Sequence, residues 1–258
     1  MGKPKKGSLG ERMKEYENVS RIYLTRRMPI IIRIDGRCFH TFCRGLKRPF
    51  DDVLINTMQS TMKYLCENIQ NCVLGYTQSD EISLVLVDYQ KINTAAWFDN
   101  NLQKIVSVSA SMATLKFNEM FPKYAIVEIF KKDFDHNIYF DKMNSATFDS
   151  RAFLLPKEEV SNYLIWRQQD TIRNSHEMLG RYHFSHKALY KKNAKMIEEM
   201  LLSERNVDWN DLPTKCKIGS CCIRDLIDEF EGIKEWKIDN EIPLFTEHRE
   251  YINRFIFV

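Results

Sequence analysis

The sequence lacks any apolar run near the ~18 residues that a membrane-spanning helix needs. Its first residues, MGKPKKGSLGERMK, are basic and contain no apolar stretch of the kind that secretory signals carry. Nothing in this pattern predicts a membrane partner. We therefore expect a cytoplasmic protein.

Metal-binding cysteine patterns are also missing. The seven cysteines are odd in number and include no CxxC pair, so neither a disulfide framework nor a zinc site is expected. The thiols are interpreted as structural or incidental. No internal repeat and no low-complexity linker divides the 258 residues.

A strong net charge is absent as well. The formal charge of +3 does not by itself indicate a nucleic-acid partner, and contents of 44% hydrophobic and 28% charged residues are typical of soluble globular proteins. Lysine and arginine do cluster at residues 3–6, 21–27, 187–195 and 215–217. Such clusters either neutralise phosphates or form solvated helix faces, and the sequence leaves both interpretations open.

The first half of the chain alternates strands and helices. Three consecutive isoleucines at 30–32 predict a strand that is buried on both faces. The predicted order is a strand at 29–35, a helix capped by Asp51 or Asp52, strands at 73–76 and 82–87, a helix at about 100–121 ended by Pro122, and a strand at 125–130. This βαββαβ order is the ferredoxin-like unit of polymerase palm domains, although many unrelated proteins share it.

The second half is predicted to be mostly helical. Short strands are expected at 137–140 and 147–154, helices at about 157–183 and 187–202, and a strand at 219–226. The fold class is therefore α+β. We divide the chain into a palm-like catalytic domain at 1–132, which includes the basic N-terminal segment, and a mostly helical region at 133–258.

Two acidic sites are expected to meet at one end of the sheet. Asp35 ends the first strand, and Asp80 with Glu81 occupies the turn between the second and third strands. Because the first and third strands are neighbours in a ferredoxin-like sheet, Asp35 and Asp80 should lie close together. Paired carboxylates repel each other unless a cation lies between them, and their hard oxygen atoms suit Mg²⁺. Two such ions, about 3.5–4 Å apart, would stabilise a phosphoryl transfer.

The residues around these acids suit phosphate binding. Gly36 would let the backbone approach a metal or a triphosphate, and the amides of residues 36–40 could form an anion nest. Ser79 supplies a hydroxyl beside Asp80, while Arg37 and Arg48 carry charge for phosphates. Ordinary turn chemistry also explains the Asp-Gly and Ser-Asp-Glu sequences. On a later segment, Tyr163 and Trp166 are interpreted as core residues more readily than as base-stacking platforms, and Arg167 and Arg173 as surface charges.

These motifs resemble one family. RIDGRCFHTF at 33–42, Pro49 and Asp51, LGYTQSDEISLVL at 74–86, YLIWRQQD at 163–170 and NDLPTKCKIG at 210–219 are similar to segments of the tRNA-His guanylyltransferase superfamily. Members of that superfamily are 3′-to-5′ RNA polymerases with a two-metal palm. The resemblance extends over roughly residues 29–220.

The resemblance implies a role for each matched residue. Asp35, the Gly36 carbonyl and Asp80 would bind two Mg²⁺ ions, and Glu81 would be the supporting acid, so that the catalytic set is Asp35, Asp80 and Glu81. The implied nucleotide contacts are Arg33, Asp35, Gly36, Arg37, Cys38, Phe39, His40, Arg48, Asp51, Ser79, Asp80 and Lys104. For His40 alone, a satisfied loop histidine is the other interpretation.

The implied reaction uses ATP and GTP as substrates. ATP activates a tRNA that carries a 5′-monophosphate, and the 3′-hydroxyl of an incoming nucleotide, usually GTP, then attacks the activated end. The resemblance also implies a homotetramer, with residues 133–258 as a fingers-like region that contacts tRNA.

One stretch departs from the family pattern. Where tRNA-His guanylyltransferases carry a HINNLYN-type motif, residues 171–180 read TIRNSHEMLG, with Ile172 in place of histidine and only Asn174 kept. This is more similar to the branch that repairs truncated tRNA 5′ ends. Addition of G at position −1 of tRNA-His is the alternative. A diguanylate-cyclase-like palm and a non-catalytic RNA-binding protein are disfavoured, because the turn reads SDE rather than GGDEF and RNA binding does not require converging carboxylates.

Overall fold

The computed structural model describes residues 7–130, 137–228 and 233–258. In these ranges six strands form one antiparallel sheet in the order β4-β1-β3-β2-β5-β6. The strands are β1 Ile30–Gly36, β2 Cys72–Gln78, β3 Glu81–Leu86, β4 Phe148–Leu154, β5 Ser220–Asp228 and β6 Ile233–Asp239.

The α-helices of the described ranges are α1 Leu9–Val19, α2 Phe39–Phe42, α3 Asp52–Asn68, α4 Leu102–Ile129, α5 Asn137–Phe140, α6 Lys157–His183, α7 His186–Leu189, α8 Ala194–Arg205, α9 Thr214–Lys217 and α10 Glu250–Ile256. Short 3₁₀ turns occur at Trp97–Asn100 and Trp209–Asp211. Within these ranges no helix is long and apolar enough to cross a membrane.

Helices cover both faces of the sheet, as the isoleucine run of β1 predicted. Ile30, Ile32 and Ile34 join a core that includes residues of α3 and α4. Ile31 points to the other face and joins a second core that includes residues of α6 and α10. Since successive strand residues alternate between faces, Asp35 lies on the face that α6 covers.

The predicted helix cap is confirmed. Asp51 is the N-cap of α3, and its carboxylate accepts a hydrogen bond from the amide of Leu54 at 2.9 Å. Such a cap satisfies one of the amides that a helix start leaves unpaired and stabilises the helix by about 1 kcal/mol. The start of α3 therefore follows directly from the chemistry of one residue.

The predicted strand at 125–130 is wrong. Helix α4 continues through Pro122 to Ile129, and Phe117, Phe121 and Ala125 are fully buried at four-residue steps along it. This period belongs to a helix rather than a strand. On the side of β1 away from β3 the neighbouring strand is β4, close to the 147–154 segment that was predicted as a short strand.

The second half is partly as predicted. Helix α6 confirms the predicted helix at 157–183, and β5 confirms the strand at 219–226. The segment 137–140 is helical instead of extended, and the predicted helix at 187–202 is divided into α7 and α8. Three strands that follow residue 132 join the same sheet as β1, so the division at that residue stays a prediction.

Candidate functional site

Asp35 and Asp80 lie together at one end of the sheet. Asp35 is paired with Glu81 across β1 and β3, and the amide of Gly36 donates to the backbone carbonyl of Asp80 at 3.0 Å. Burial raises the pKa of Asp80 to about 6. The Ser79 hydroxyl, which donates to its carboxylate at 3.0 Å, opposes this rise, and the charge of Asp35 adds to it. The adjacency that the topology predicted is therefore present.

The donor atoms fit a hard divalent cation. Two carboxylates whose charges oppose each other offer oxygen ligands, which Mg²⁺ prefers. In the described part of the chain no three His, Cys, Asp or Glu side chains converge on a metal position. A metal here would therefore be held by Asp35 and Asp80 together with backbone, water or phosphate oxygens, and the predicted Gly36 carbonyl is one of these.

The burial of the Asp80 carboxylate and, to a smaller extent, its repulsion from Asp35 predict a gain in stability from Asp80→Asn. An acid whose folded-state pKa is raised costs the folded protein stability as the pH rises through that pKa. In EDTA the variant should melt above the wild type at pH 8, and the difference should shrink toward pH 5. A gain of ~1 kcal/mol corresponds to about 2–4 °C in a chain of this size. Differential scanning fluorimetry measures both values.

The same melting experiment with added Mg²⁺ tests the metal site. Mg²⁺ should raise the melting temperature of the wild type and leave that of Asp80→Asn nearly unchanged. A variant that melts below the wild type at both pH values would show that the charge of Asp80 does not destabilise the folded protein.

Glu81 is held in place by an arginine. Arg167 of α6 donates from Nε and from a terminal nitrogen to the two Glu81 oxygens at 2.8 and 2.9 Å, and both side chains are buried. Arg33 adds an ion pair at 3.5 Å. The predicted surface position of Arg167 is therefore wrong. Glu81 fixes α6 against the end of the sheet, and its role as supporting acid stays a prediction.

The packing around Gly36 gives a second reason for a glycine at this position. A Cβ atom at this position would lie 2.3 Å from the ring of Phe39, which is buried directly against the backbone. The Phe39 ring itself packs among Phe42, Phe117 and Phe148. Phe39 can therefore contact a nucleotide mainly through its backbone.

The predicted anion nest is shorter than residues 36–40. The amides of Gly36 and Arg37 are already donating, to the carbonyls of Asp80 and Thr147. In the part of the chain that the structure describes, the amides of residues 38–40 have no such acceptor. Cys38 and Ser79 both adopt left-handed backbone conformations, with φ of 58° and 49°. Strain of this kind concentrates at ligand-binding positions.

The Asp51 carboxylate accepts three hydrogen bonds from within the fold. Besides capping α3, it accepts hydrogen bonds from the amide of Lys47 at 2.9 Å and from the Tyr139 hydroxyl at 2.8 Å. These contacts fix the loop that leads from α2 to α3. Asp51 therefore holds this loop in place, and its contact with a nucleotide stays a prediction.

A cavity of about 580 Å³ opens beside Asp80. Six of the predicted residues line it: Phe39, His40, Arg48, Asp51, Ser79 and Asp80. Arg44, Lys47, Asn174, Met178 and Arg181, which also line it, were not predicted as contacts. Four arginine and lysine side chains thus line a space next to Asp80, together with Glu177, which forms an ion pair with Arg181 at 3.0 Å. Arginine and lysine side chains of this kind bind phosphates. The steps of three or four residues from Asn174 to Arg181 place these residues on one face of α6.

Lys104 lies apart from this cavity. It stands in the first turn of α4, with its Nζ atom 5.6 Å from the centre of the Phe98 ring, and lines a separate cavity of about 380 Å³. Thr114 lies ten residues further along α4, and its hydroxyl accepts a hydrogen bond from the amide of Phe148. Phe148 is paired with Gly36 across β4 and β1. Lys104 is therefore about 15 Å along the helix from this end of the sheet. Within one chain it does not join Asp35 and Asp80.

Known proteins are similar to this chain in sequence and in architecture. A family model described as tRNAHis guanylyltransferase matches residues 10–156. A probable tRNA(His) guanylyltransferase of Dictyostelium discoideum is 30% identical over 80% of this chain and 79% of its own length. A bacterial tRNA(His) guanylyltransferase (Thg1)-like protein solved in complex with ATP has a TM-score of 0.84 and 45% identity, covering 97% of this chain and all of that one.

A bacterial tRNA(His) guanylyltransferase (Thg1)-like protein was also solved in complex with GTP. It has a TM-score of 0.79 and 42% identity, and it covers 97% of this chain and 99% of that one. The matched segment includes β1, the β2–β3 turn and both carboxylates described above. The chain therefore belongs to the tRNAHis guanylyltransferase family and is a nucleotidyltransferase.

Proposed function

We propose that this protein adds nucleotides to the 5′ end of tRNA in the 3′-to-5′ direction, in a template-dependent repair reaction. The observation that carries the proposal is the adjacency of Asp35 and Asp80 beside a cavity lined by cationic side chains. The strand order β4-β1-β3-β2 supports a ferredoxin-like polymerase palm. The bacterial relatives solved with ATP and with GTP support both nucleotides as substrates.

In this proposal the residues form groups, and each group has its own task. Arg44, Lys47 and Arg48 neutralise the triphosphate, and the amides of residues 38–40 bind its oxygens. Asp35 and Asp80, with the Gly36 carbonyl, would hold two Mg²⁺ ions. When bound, these ions supply positive charge to the phosphate oxygens of the displacement. Glu81 and Arg167 keep α6 at the site, so that the cavity wall remains in place.

The two chemical steps use this one site. In the first, an oxygen of the RNA 5′-monophosphate attacks the α-phosphorus of ATP, and pyrophosphate leaves. In the second, the 3′-hydroxyl of GTP or another nucleotide attacks the activated end in line, and the activating group leaves. Both are displacements at phosphorus, so positioning and charge neutralisation are the main contributions that the protein makes.

The divergent stretch favours repair over addition of G at position −1. Ile172, at the position of the family histidine, packs against the apolar core on the α6 side of the sheet. His176 is buried and stacked on Trp209, with ring centres 4.2 Å apart. Neither residue lines the cavity. The chain therefore lacks the HINNLYN-type motif that the tRNA-His guanylyltransferases carry, and this supports repair.

The partners of this activity follow from the surface. Residues 133–258 are proposed to contact tRNA through the lysines around 187–195. Helix α1 buries no residue of its own, and its apolar side chains Leu9, Met13, Tyr16 and Val19 are exposed. Exposed apolar patches commonly mark protein interfaces, which supports the homotetramer that the family resemblance implies.

The substrate range is the direct test. With labelled GTP, ATP and Mg²⁺, the protein should extend tRNAs of several species that lack their first nucleotide. Intact tRNAs should be extended at least about ten-fold less efficiently, a difference of ~1.4 kcal/mol in transition-state binding. Intact and truncated forms of each tRNA serve as matched controls, with gel analysis of the labelled product.

Strict preference for tRNA-His, with one G added to the intact molecule, would establish the alternative of authentic tRNA-His guanylyltransferase. Extension that ignores the base of the opposite strand would contradict template dependence. Omitting ATP with a monophosphorylated tRNA should stop the reaction, whereas a triphosphorylated tRNA should still be extended.

A further inference from the structure

Trp166 exposes a large part of its ring to solvent. The side chain was predicted to lie in the core, but the residue is 52% exposed. All four tryptophans of the sequence lie in the described ranges, and Trp166 is the exposed one, while Trp97 is buried and Trp209 and Trp236 are half-buried. Tryptophan is highly buried on average, and it is enriched at interfaces, where one end of the ring is apolar and the other is wet.

The indole is nevertheless held in a defined position. The guanidinium of Arg167 lies over the ring, with Cζ 4.5 Å from its centre, and Tyr163 meets it at 63° with 6.0 Å between centres. Arg167 is itself fixed by the two hydrogen bonds to Glu81. A cation over one face of an aromatic ring polarises it and restricts its motion. One face of the ring is therefore covered, and the exposed area lies on the remainder.

This ring lies near the reacting end of the sheet. Glu81, which Arg167 binds, is paired with Asp35 and follows Asp80 directly. Arg33 and Arg151 are paired with each other on the neighbouring strands β1 and β4, on the face that α6 covers. Arg33 makes an ion pair with Glu81 at 3.5 Å, but its buried Nε has no hydrogen-bond partner in the described chain.

We propose that the exposed part of the Trp166 ring is a stacking platform for the nucleobase at the 5′ end of the RNA, with Arg33 and Arg151, which are paired on β1 and β4, for the phosphate. The inference rests on the proposed function and adds a positioning residue to it. Bases of RNA ends are commonly bound by stacking on aromatic rings. Such stacking tolerates every base because each has a π-face, and it therefore suits an enzyme that accepts many tRNAs.

Kinetics of Trp166→Ala test this platform. The KM for a tRNA lacking its first nucleotide should rise about ten-fold, which is the scale of one lost base stack. The KM for GTP and the kcat at saturating tRNA should change less than about three-fold, because neither depends on this contact. Trp166→Phe keeps a stacking face and should recover most of the loss. Trp236→Phe, a half-buried tryptophan on β6, is the matched control and should behave like the wild type.

Fluorescence tests the contact without catalysis. A 5′-phosphorylated acceptor-stem hairpin, added without ATP or Mg²⁺, should quench the emission of the wild type and of Trp236→Phe. The same hairpin should leave Trp166→Phe nearly unquenched. Thermal melting should confirm that Trp166→Ala folds.

The outcomes separate this inference from the proposed function. A wild type that extends tRNA, with Trp166→Ala unchanged in KM and Trp166→Phe still quenched, overturns the platform and leaves the function intact. If the wild type extends no tRNA, the proposed function is wrong. The fluorescence quenching then still tests whether Trp166 stacks on the RNA. If Trp166→Ala instead changes the oligomeric state in light scattering and leaves the KM for tRNA unaltered, the ring contacts a second copy and the platform is wrong.

Discussion

Asp35→Asn and Asp80→Asn should each abolish nucleotide addition, with a loss on the order of 10³-fold or more in kcat. Each substitution keeps the size of the side chain and removes one of the two charges that would hold the metal ions. Loss of charge stabilisation worth several kcal/mol in the transition state corresponds to this factor. The measurement is single-turnover extension of a tRNA lacking its first nucleotide, with labelled GTP at saturating concentration.

The chain offers a close control for this experiment. Asp149 is paired with Asp35 across β1 and β4 on the same face, but it is exposed and hydrogen-bonded to Arg151 at 3.2 Å. Asp149→Asn should retain activity within about three-fold, because surface charges of this kind contribute little. If Asp149→Asn lost as much activity as Asp35→Asn, the general negative potential of this surface would be responsible rather than one carboxylate pair. Retention of activity by Asp80→Asn would disprove the metal assignment.

Arg167→Met should destabilise the protein by about 3–5 kcal/mol, because it leaves the buried Glu81 carboxylate without its main partner. Methionine fills a similar volume, so the lost charge rather than a cavity accounts for the effect. At about 2–4 °C for each kcal/mol, the melting temperature should fall by roughly 6–20 °C. Chemical denaturation followed by circular dichroism gives the free energy of unfolding.

The pH dependence of this effect has a definite sign. Burial already raises the pKa of Glu81, and Arg167 opposes that rise, so its removal should raise the pKa further. An acid with a raised folded-state pKa costs stability above that pKa. The difference between Arg167→Met and the wild type should therefore narrow as the pH falls from 8 to 5.

The double variant Glu81→Gln with Arg167→Met removes the unpaired charge altogether. It should be more stable than Arg167→Met alone, since the two positions are in direct contact and their effects do not add. A double variant that is less stable than Arg167→Met would mean that Glu81 is stabilised by groups other than this arginine.

Some of the architecture followed from local chemistry. The isoleucine run of β1, the Asp51 cap of α3 and the tight turn at Ser79 and Asp80 each depend on residues close in sequence, and the structure has them as predicted. The segment at 125–130 was misread because Ile126, Val127 and Ile129 favour strands. Three buried residues at four-residue steps, Phe117, Phe121 and Ala125, determine the helix instead.

The candidate site was predictable only in part, for a similar reason. Asp35 and Asp80 stand at the ends of strands, where the order of elements in the chain places them together. The contributions of Arg167, Asn174 and Arg181 depend on how α6 crosses the sheet, and no local pattern reports that crossing. Steps of three and four residues mark one helix face, but they do not tell which surface that face meets.

Helix α6 also fixes the distance between two parts of the candidate site. Trp166 and Arg167 lie near the carboxylates, and Asn174, Met178 and Arg181 line the cavity farther along the same uninterrupted helix. At 1.5 Å per residue, these two groups are separated by about 10–20 Å along the axis. One inserted residue between them would rotate the cavity face by about 100° relative to Glu81. Changes in substrate preference along this helix should therefore arise by substitution, as at Ile172, and not by changes in its length.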